Sequence, residues 1–310
     1  MVDDRWAVLL LAHGAPDCLE DIPEFLLKVR SGRKLPEAAV QEIVHRYSLI
    51  GGGSPLLRIT NLQAEALAER LGTRVYVGMR NWKPFIADAV RRLSEDGVKH
   101  LVAICLAPQN SRTSTGLYRR RLTEAVEATN PQLQVEFVES WHDSDELIAA
   151  FSEKVTAALD RIKGETDNSL PVVFTAHSVP QRTIEEGDPY QAQVMETARL
   201  IAQRAALDNW CVAFQSQGMS PEPWIGPTVE FQIDLLAGDG HRHLLLVPIS
   251  FVSDHVEILY DVDIAFREYG KAKGVDVWRS ESLNDSRLLI QALARIASAT
   301  VSKTPSRPRV

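Results

Sequence analysis

The residue types best suited to chemistry fall in two stretches. Leu244–Asp263, LLLVPISFVSDHVEILYDVD, reads as a buried strand over Leu244–Pro248, a polar turn, and a helix opening near Asp254. A helix there sets Glu257 and Asp261 at i and i+4, so their carboxylates share one face. Asp254, three residues before Glu257, either joins that face or caps the helix. The second stretch, Pro171–Pro180 (PVVFTAHSVP), reads as a strand running into His177. In an open α/β sheet, ligands sit beyond the carboxyl ends of the strands, which is where His177 and Glu257 would both project. A neutral imidazole accepts a proton near neutral pH or binds a divalent metal, and it would face an acid ladder. Each motif also has a plainer reading, the first as an N-cap with a solvated acidic face and the second as a hydrogen-bonded strand-end histidine.

Other candidates are weaker. His13 ends an apolar run in the same way as His177 and shares its ambiguity. His241 and His243 alternate on a strand edge as a metal pair would, although GDGHRH reads more readily as a solvated turn. His45, His100 and His142 have no acidic or histidine partner at a useful spacing. Arg30, Arg33, Lys34 and Arg46 concentrate positive charge around the turn Gly51–Ser54 and could bind carboxylates or phosphates from one rim. That turn is no phosphate-binding P-loop, because no Gly-Lys-Ser/Thr follows it. Tyr47, Tyr118, Trp141 and Trp224 offer flat apolar walls or serve as core.

The elements that must position these residues alternate strand and helix. Strands are expected at Trp6–Leu11, Arg74–Met79, His100–Ala107 and Leu133–Glu139, then at Pro171–Ala176, Cys211–Gln215, His243–Pro248 and Val275–Trp278. Between them fall helices, among them one capped by Asp17 and running to about Arg30, and one over Asp254–Tyr269. This rhythm implies βαβ units and parallel sheets. The polar run at 163–169 is the expected linker, dividing a lobe at 1–165 from one at 166–310. A weak repeat supports two related halves. LLLAHGAP (9–16) matches FTAHSVP (174–180), and ICLAPQNS (104–111) matches LLVPISF (245–251) in the same order. Two such halves would each present a histidine to a shared cleft.

Composition bounds the function. The chain has 310 residues, 45% apolar and 24% charged, as in a globular enzyme. A net charge of −7 argues against nucleic-acid binding, which needs a basic face. No apolar run approaches the roughly 20 residues of a membrane span, and MVDDRWAVLLLAHG is too acidic for a targeting segment. Cys18, Cys105 and Cys211 are far apart and form no CxxC pair, so neither a disulfide framework nor a cluster site is expected. These features suit a cytoplasmic protein without stable membrane insertion.

The chain resembles the ferrochelatases, most closely the short water-soluble bacterial type that metallates coproporphyrin III. The marks are AHGAP (12–16), YSLIGGGSPL (47–56), GMRNWKPFIADAV (78–90), LAPQNS (106–111), TAHSVP (175–180), QSQGMSPEPWIGP (215–227) and FVSDHVEILYDVD (251–263). The resemblance implies an α/β fold of two Rossmann-like lobes clamping a porphyrin, with Fe(II) as substrate and no organic cofactor. It implies that His177 and Glu257 are the catalytic, metal-handling pair, with Asp261 the next acid of a ladder on a distorted helix. It also implies that Arg30, Arg46, Tyr47, Ser54 and Tyr118 hold the propionates. Two positions depart from the pattern. His13 stands where close relatives usually carry a tyrosine that ligates product iron, and Ala265 replaces the outermost acid of the ladder. The C-terminal cysteines of the iron–sulfur type are missing. The expected reaction yields coproheme, passed to a downstream coproheme decarboxylase. The alternatives are a protoporphyrin IX ferrochelatase, a cobalt chelatase or a non-catalytic porphyrin carrier.

Overall fold

The computed structural model describes residues 6–162, 170–218 and 221–303. β1 (Trp6–Ala12), β2 (Arg74–Met79), β3 (His100–Cys105) and β4 (Gln134–Val138) form a parallel sheet in the order β2-β1-β3-β4. β5 (Val172–His177), β6 (Trp210–Gln215), β7 (His243–Pro248) and β8 (Asp276–Arg279) form a second, in the order β6-β5-β7-β8. The α/β class with two parallel sheets is the expected one. The central strands are continuously apolar because helices cover both faces of each sheet. Residues Ala7 to Leu11, for example, are all buried.

The helices of the first half are α1 (Ile22–Val29), α2 (Glu37–Leu49), α3 (Leu56–Leu71), α4 (Ile86–Glu95), α5 (Thr115–Thr129) and α6 (Asp145–Ile162). Those of the second are α7 (Gln181–Glu185), α8 (Tyr190–Arg204), α9 (Val229–Gly238), α10 (Arg267–Ala272) and α11 (Arg287–Lys303). Strand side chains alternate between faces, and the two faces go to different cores. Val8, Leu10, Val102 and Ile104 of the first sheet join Val172, Phe174, Leu245 and Val247 of the second in one continuous core filled by α3, α6, α8 and α11. The outer faces have cores of their own, Leu9, Leu11 and Ala103 under α4 and α5, and Val173, Ala213 and Leu246 under α9. The halves are thus fused through a shared apolar layer.

Polar side chains also cross between the halves. Gln63 Nε2 donates to Ser253 Oγ (2.9 Å) and to the Asn284 carbonyl (2.6 Å). Gln109 Nε2 donates to Thr197 Oγ1 (3.1 Å) and the Ile249 carbonyl (3.2 Å).

The sequence repeat falls on equivalent strands. LLLAHGAP lies on β1 and FTAHSVP on β5, the first strand of each half, and the two proline-broken strands are β3 and β7. In the shared order, the chain leaves the first strand toward one neighbour and returns on its other side. His13 and His177 therefore stand at the reversal point of each sheet, the place where open α/β sheets bind ligands. Gly14, the residue after His13, takes a φ of +80°, and a Cβ there would lie 2.7 Å from the Trp82 nitrogen. Only glycine lets the turn after His13 pack this closely.

Several local expectations are corrected. Asp17 caps no helix. A 3₁₀ turn, Leu19–Asp21, comes first, and α1 follows with its proline in the first turn, where no backbone donor is lost. The helix expected over Asp254–Tyr269 is a π-helix, Glu257–Phe266, continued by α10. Asp254 neither caps it nor joins its acids, because Arg279, Ser282 and Asn284 occupy its carboxylate. His142 has an acidic partner after all, with its Nε2 3.0 Å from Glu196 Oε2 on α8. The expected linker at 163–169 lies outside the described residues, as do 304–310.

Candidate active site

His177 closes β5 with its backbone held on both sides. Its N–H donates to Ser250 Oγ (3.0 Å), and its carbonyl accepts from the Tyr190 hydroxyl (2.9 Å). Its Nδ1 lies 2.5 Å from the Ser178 carbonyl. A carbonyl only accepts, so Nδ1 carries the proton and Nε2 keeps its lone pair. That lone pair faces Glu257 Oε2 at 3.6 Å. Oε2 is buried and accepts no hydrogen bond. Two electron-rich atoms therefore face each other across a gap that a proton or a divalent cation would fill.

The π-helix supplies Glu257. Its hydrogen bonds run i to i+5, a geometry that recurs at functional sites. Gln215, at the end of β6, donates its side-chain amide to the Glu257 carbonyl (3.2 Å) and so braces the start of the helix. The next residue, Ser216, takes a φ of +58°, which aims its hydroxyl at Asp261 Oδ2 (2.7 Å). Burial pushes the Glu257 carboxyl up, but His177, His255 and His13, with the Ser216 hydroxyl, outweigh it and leave the group below its ordinary value. For Asp261, burial dominates and the neighbouring Glu257 charge adds to it, raising the pKa to about 6. The ladder thus pairs an ionised acid with one that exchanges protons close to neutrality.

The expected site residues gather unevenly. His13, Tyr47 and Tyr118 all sense the Glu257 charge. Both phenols are buried and pushed up by that burial, and the Arg80 guanidinium lies 5.0 Å from the Tyr118 ring centroid. Arg46 reaches the π-helix, its guanidinium 5.1 Å from the Tyr260 ring centroid and its Nε 3.0 Å from Glu42 Oε1. Arg46 also favours the Asp261 anion. Ser54 lies against the loop after His13, its N–H donating to the Pro16 carbonyl (2.9 Å) and its Oγ accepting from Leu56 N (3.3 Å). Arg30 makes local contacts, exchanging side-chain to backbone bonds of 3.3 Å with Arg33. His243 faces Asp276 rather than His241, with Nδ1 3.5 Å from Oδ2.

Residue-by-residue reading passed over His255, Arg80, Asn81, Gln215 and Ser216. Arg80 and Asn81 follow β2 directly, and Gln215 ends β6, so the strand-end rule that selected His13 and His177 would have found them. His255 lies two residues before Glu257, inside the stretch already singled out. No group of three His, Cys, Asp or Glu side chains able to hold a metal is present among the described residues.

The sequence profile of the family described as Ferrochelatase matches residues 5–301. The chain belongs to the ferrochelatase family. A ferrochelatase of Acidobacterium capsulatum is 48% identical over 317 residues, covering 97% of this chain and 96% of that one. A coproporphyrin III ferrochelatase of Geobacillus thermodenitrificans is 36% identical, covering 96% of each. The sirohydrochlorin chelatase SirB of Bacillus subtilis subspecies spizizenii, solved with cobalt, superposes with a TM-score of 0.61 at 10% identity over 96% of each chain, a likeness of fold. As a ferrochelatase the protein is a metal-inserting lyase.

The raised pKa of Asp261 makes a stability prediction for this ferrochelatase. Between its unfolded value of 3.8 and about 6 the folded state binds the extra proton, so raising pH through that window costs stability. Asp261→Asn should therefore stabilise the fold at pH 7.5 by up to about 2 kcal/mol, and the gain should shrink toward pH 5. Thermal melts at both pH values check this, and an equal shift at each would contradict it.

Proposed function

We propose that the protein inserts Fe(II) into coproporphyrin III to give coproheme, with His177 and Glu257 as the insertion pair. The carrying observation is the 3.6 Å approach of His177 Nε2 to the hydrogen-bond-free Glu257 Oε2. A free-base porphyrin holds two N–H protons inside its ring, and both must leave as Fe(II) enters. A cleft that bends the ring exposes those protons, so binding energy from remote contacts lowers the barrier. His177 Nε2 accepts one ring proton, Glu257 receives the metal and relays the second proton toward Asp261, and Asp261 passes it onward through its link to Ser216. His13 is the axial ligand of product iron. Burial, aided by the Arg80 charge, lowers its pKa to about 4, so its ring stays neutral and able to ligate.

Coproporphyrin III as substrate is supported by the relatives that carry that name at 36% identity and by Arg46, whose guanidinium lies beside the π-helix. Arg30, Arg46, Tyr47, Ser54 and Tyr118 hold the propionates, with Arg80 adding charge beside Tyr118. The reaction needs no organic cofactor. On this reading the chain acts in the cytoplasm and its product passes to a coproheme decarboxylase; no helix among the described residues is long and apolar enough to cross a membrane. Arg46→Leu should raise the KM for coproporphyrin III about three- to tenfold, the size of a partly exposed charged hydrogen bond. Added salt should raise the wild-type KM as well. Equal kinetics for coproporphyrin III and its tetramethyl ester, both held soluble in detergent, would refute propionate recognition.

A further inference from the structure

Both ring nitrogens of His13 are engaged. Nδ1 lies 2.9 Å from the Gly14 carbonyl oxygen, which can only accept, so Nδ1 carries the proton. Nε2 lies 3.0 Å from Asn81 Nδ2. With its second nitrogen unprotonated, the ring presents a lone pair there, and the amide must turn its NH₂ toward it. The opposite orientation would set an oxygen against a lone pair. Asn81 is buried at 8% exposure, and its backbone N–H donates to the His13 carbonyl (2.9 Å). Backbone and side chain of Asn81 thus hold the same histidine, and the lone pair that would bind iron is already committed to a hydrogen bond.

We propose that Asn81 is a positioning residue that competes with product iron for the His13 Nε2 lone pair and so sets how fast the metallated porphyrin leaves. This rests on the reading of His13 as the axial ligand. In the free enzyme Asn81 holds the imidazole toward the end of β2. When the metallated ring forms, Nε2 exchanges its N–H···N bond for iron, and on release Asn81 takes the lone pair back. Asn81 itself makes no bond to the metal.

The test measures stopped-flow release of iron coproporphyrin III and the resonance Raman axial-ligand signature. It uses wild type, Asn81→Leu, Asn81→Asp and His13→Ala. Removing one neutral hydrogen bond from the competing state corresponds to about a three- to tenfold change. Asn81→Leu should slow release by that factor and strengthen the iron–nitrogen signature. Asn81→Asp should speed release, because an acceptor at that place keeps its bond only if Nε2 carries a proton. In the ligand-free enzyme, the ¹⁵N resonance of Nε2 in Asn81→Leu should move toward the position of an unbonded acceptor, a readout that does not depend on iron. If His13→Ala loses the nitrogen signature while both Asn81 variants release product at the wild-type rate, the competition is absent and the ligand reading survives. If His13→Ala keeps the wild-type signature, both fall together.

Discussion

His177→Ala should insert iron about 10²–10⁴-fold more slowly than wild type, the usual cost of removing a general base. The magnitude follows from how the residue is held. Ser250 and Tyr190 fix its backbone, Ser178 fixes its tautomer, and Nε2 is left with its lone pair toward Glu257. None of these contacts involves Arg30, Arg46, Tyr47, Ser54 or Tyr118, so porphyrin should still bind and quench tryptophan fluorescence in the variant. Glu257→Gln should also fall, because an amide in that place neither attracts Fe(II) nor holds a transferred proton. Single-turnover insertion under anaerobic conditions, with binding measured separately, separates the two effects. A His177→Ala enzyme with near wild-type insertion would remove this histidine from the chemistry.

The second large effect concerns Arg279, at the end of β8. Its guanidinium forks onto both oxygens of Asp263 (2.8 and 2.9 Å) and reaches Asp254 Oδ1 (3.3 Å) and Ser282 Oγ (3.3 Å). Asp254 precedes the π-helix and Asp263 lies within it, so one cation staples the segment that presents Glu257. All three side chains are largely buried, with exposures of 13%, 20% and 21%. Arg279→Met would leave Asp254 with only its neutral donors Ser282 and Asn284 and Asp263 with only Arg267 at 3.6 Å, and should cost about 3 kcal/mol of stability, toward the lower end for a broken buried pair. Against a typical total of roughly 5–15 kcal/mol that is a large loss. Insertion should fall as well, at temperatures where the variant remains folded. Arg279→Lys should lie between, since an ammonium cannot fork onto both oxygens. Urea unfolding that moves by less than about 0.5 kcal/mol in Arg279→Met would show that the staple carries no weight.

Much of this molecule was legible in its residues because parallel strands buried on both faces write themselves as unbroken apolar runs. Arg74–Met79 and His243–Pro248 have the expected bounds. The repeat was legible too, since one topology used twice places the same Ala-His step on β1 and β5. The shared core between the halves was not, because the sequence pattern records only that a face is apolar, never which element covers it. The π-helix was equally hidden. Ile258, Val262 and Phe266 are buried at a spacing of four that an α-helix also accommodates, and the register is set by Gln215 and Arg279 from other strands. His142 finds Glu196 across 54 positions, and Asp254 finds Arg279 across 25. His177 and Glu257 come within 3.6 Å of each other at the strand ends, as their positions in the sequence suggested. Ser216 owes its role to a backbone conformation, and Asn81 to a hydrogen bond across 68 residues that composition cannot record.

The most direct measurement is the ratio of kcat/KM for coproporphyrin III to that for protoporphyrin IX, with Fe(II) under anaerobic conditions in one buffer and detergent. Coproporphyrin III presents four propionates and protoporphyrin IX two, and each added charged contact is worth on the order of 1.5 kcal/mol, or about tenfold. A ratio of roughly ten or more in favour of coproporphyrin III is expected, shrinking toward unity in Arg46→Leu. Equal or faster metallation of protoporphyrin IX by the wild-type enzyme would contradict coproporphyrin III as the substrate.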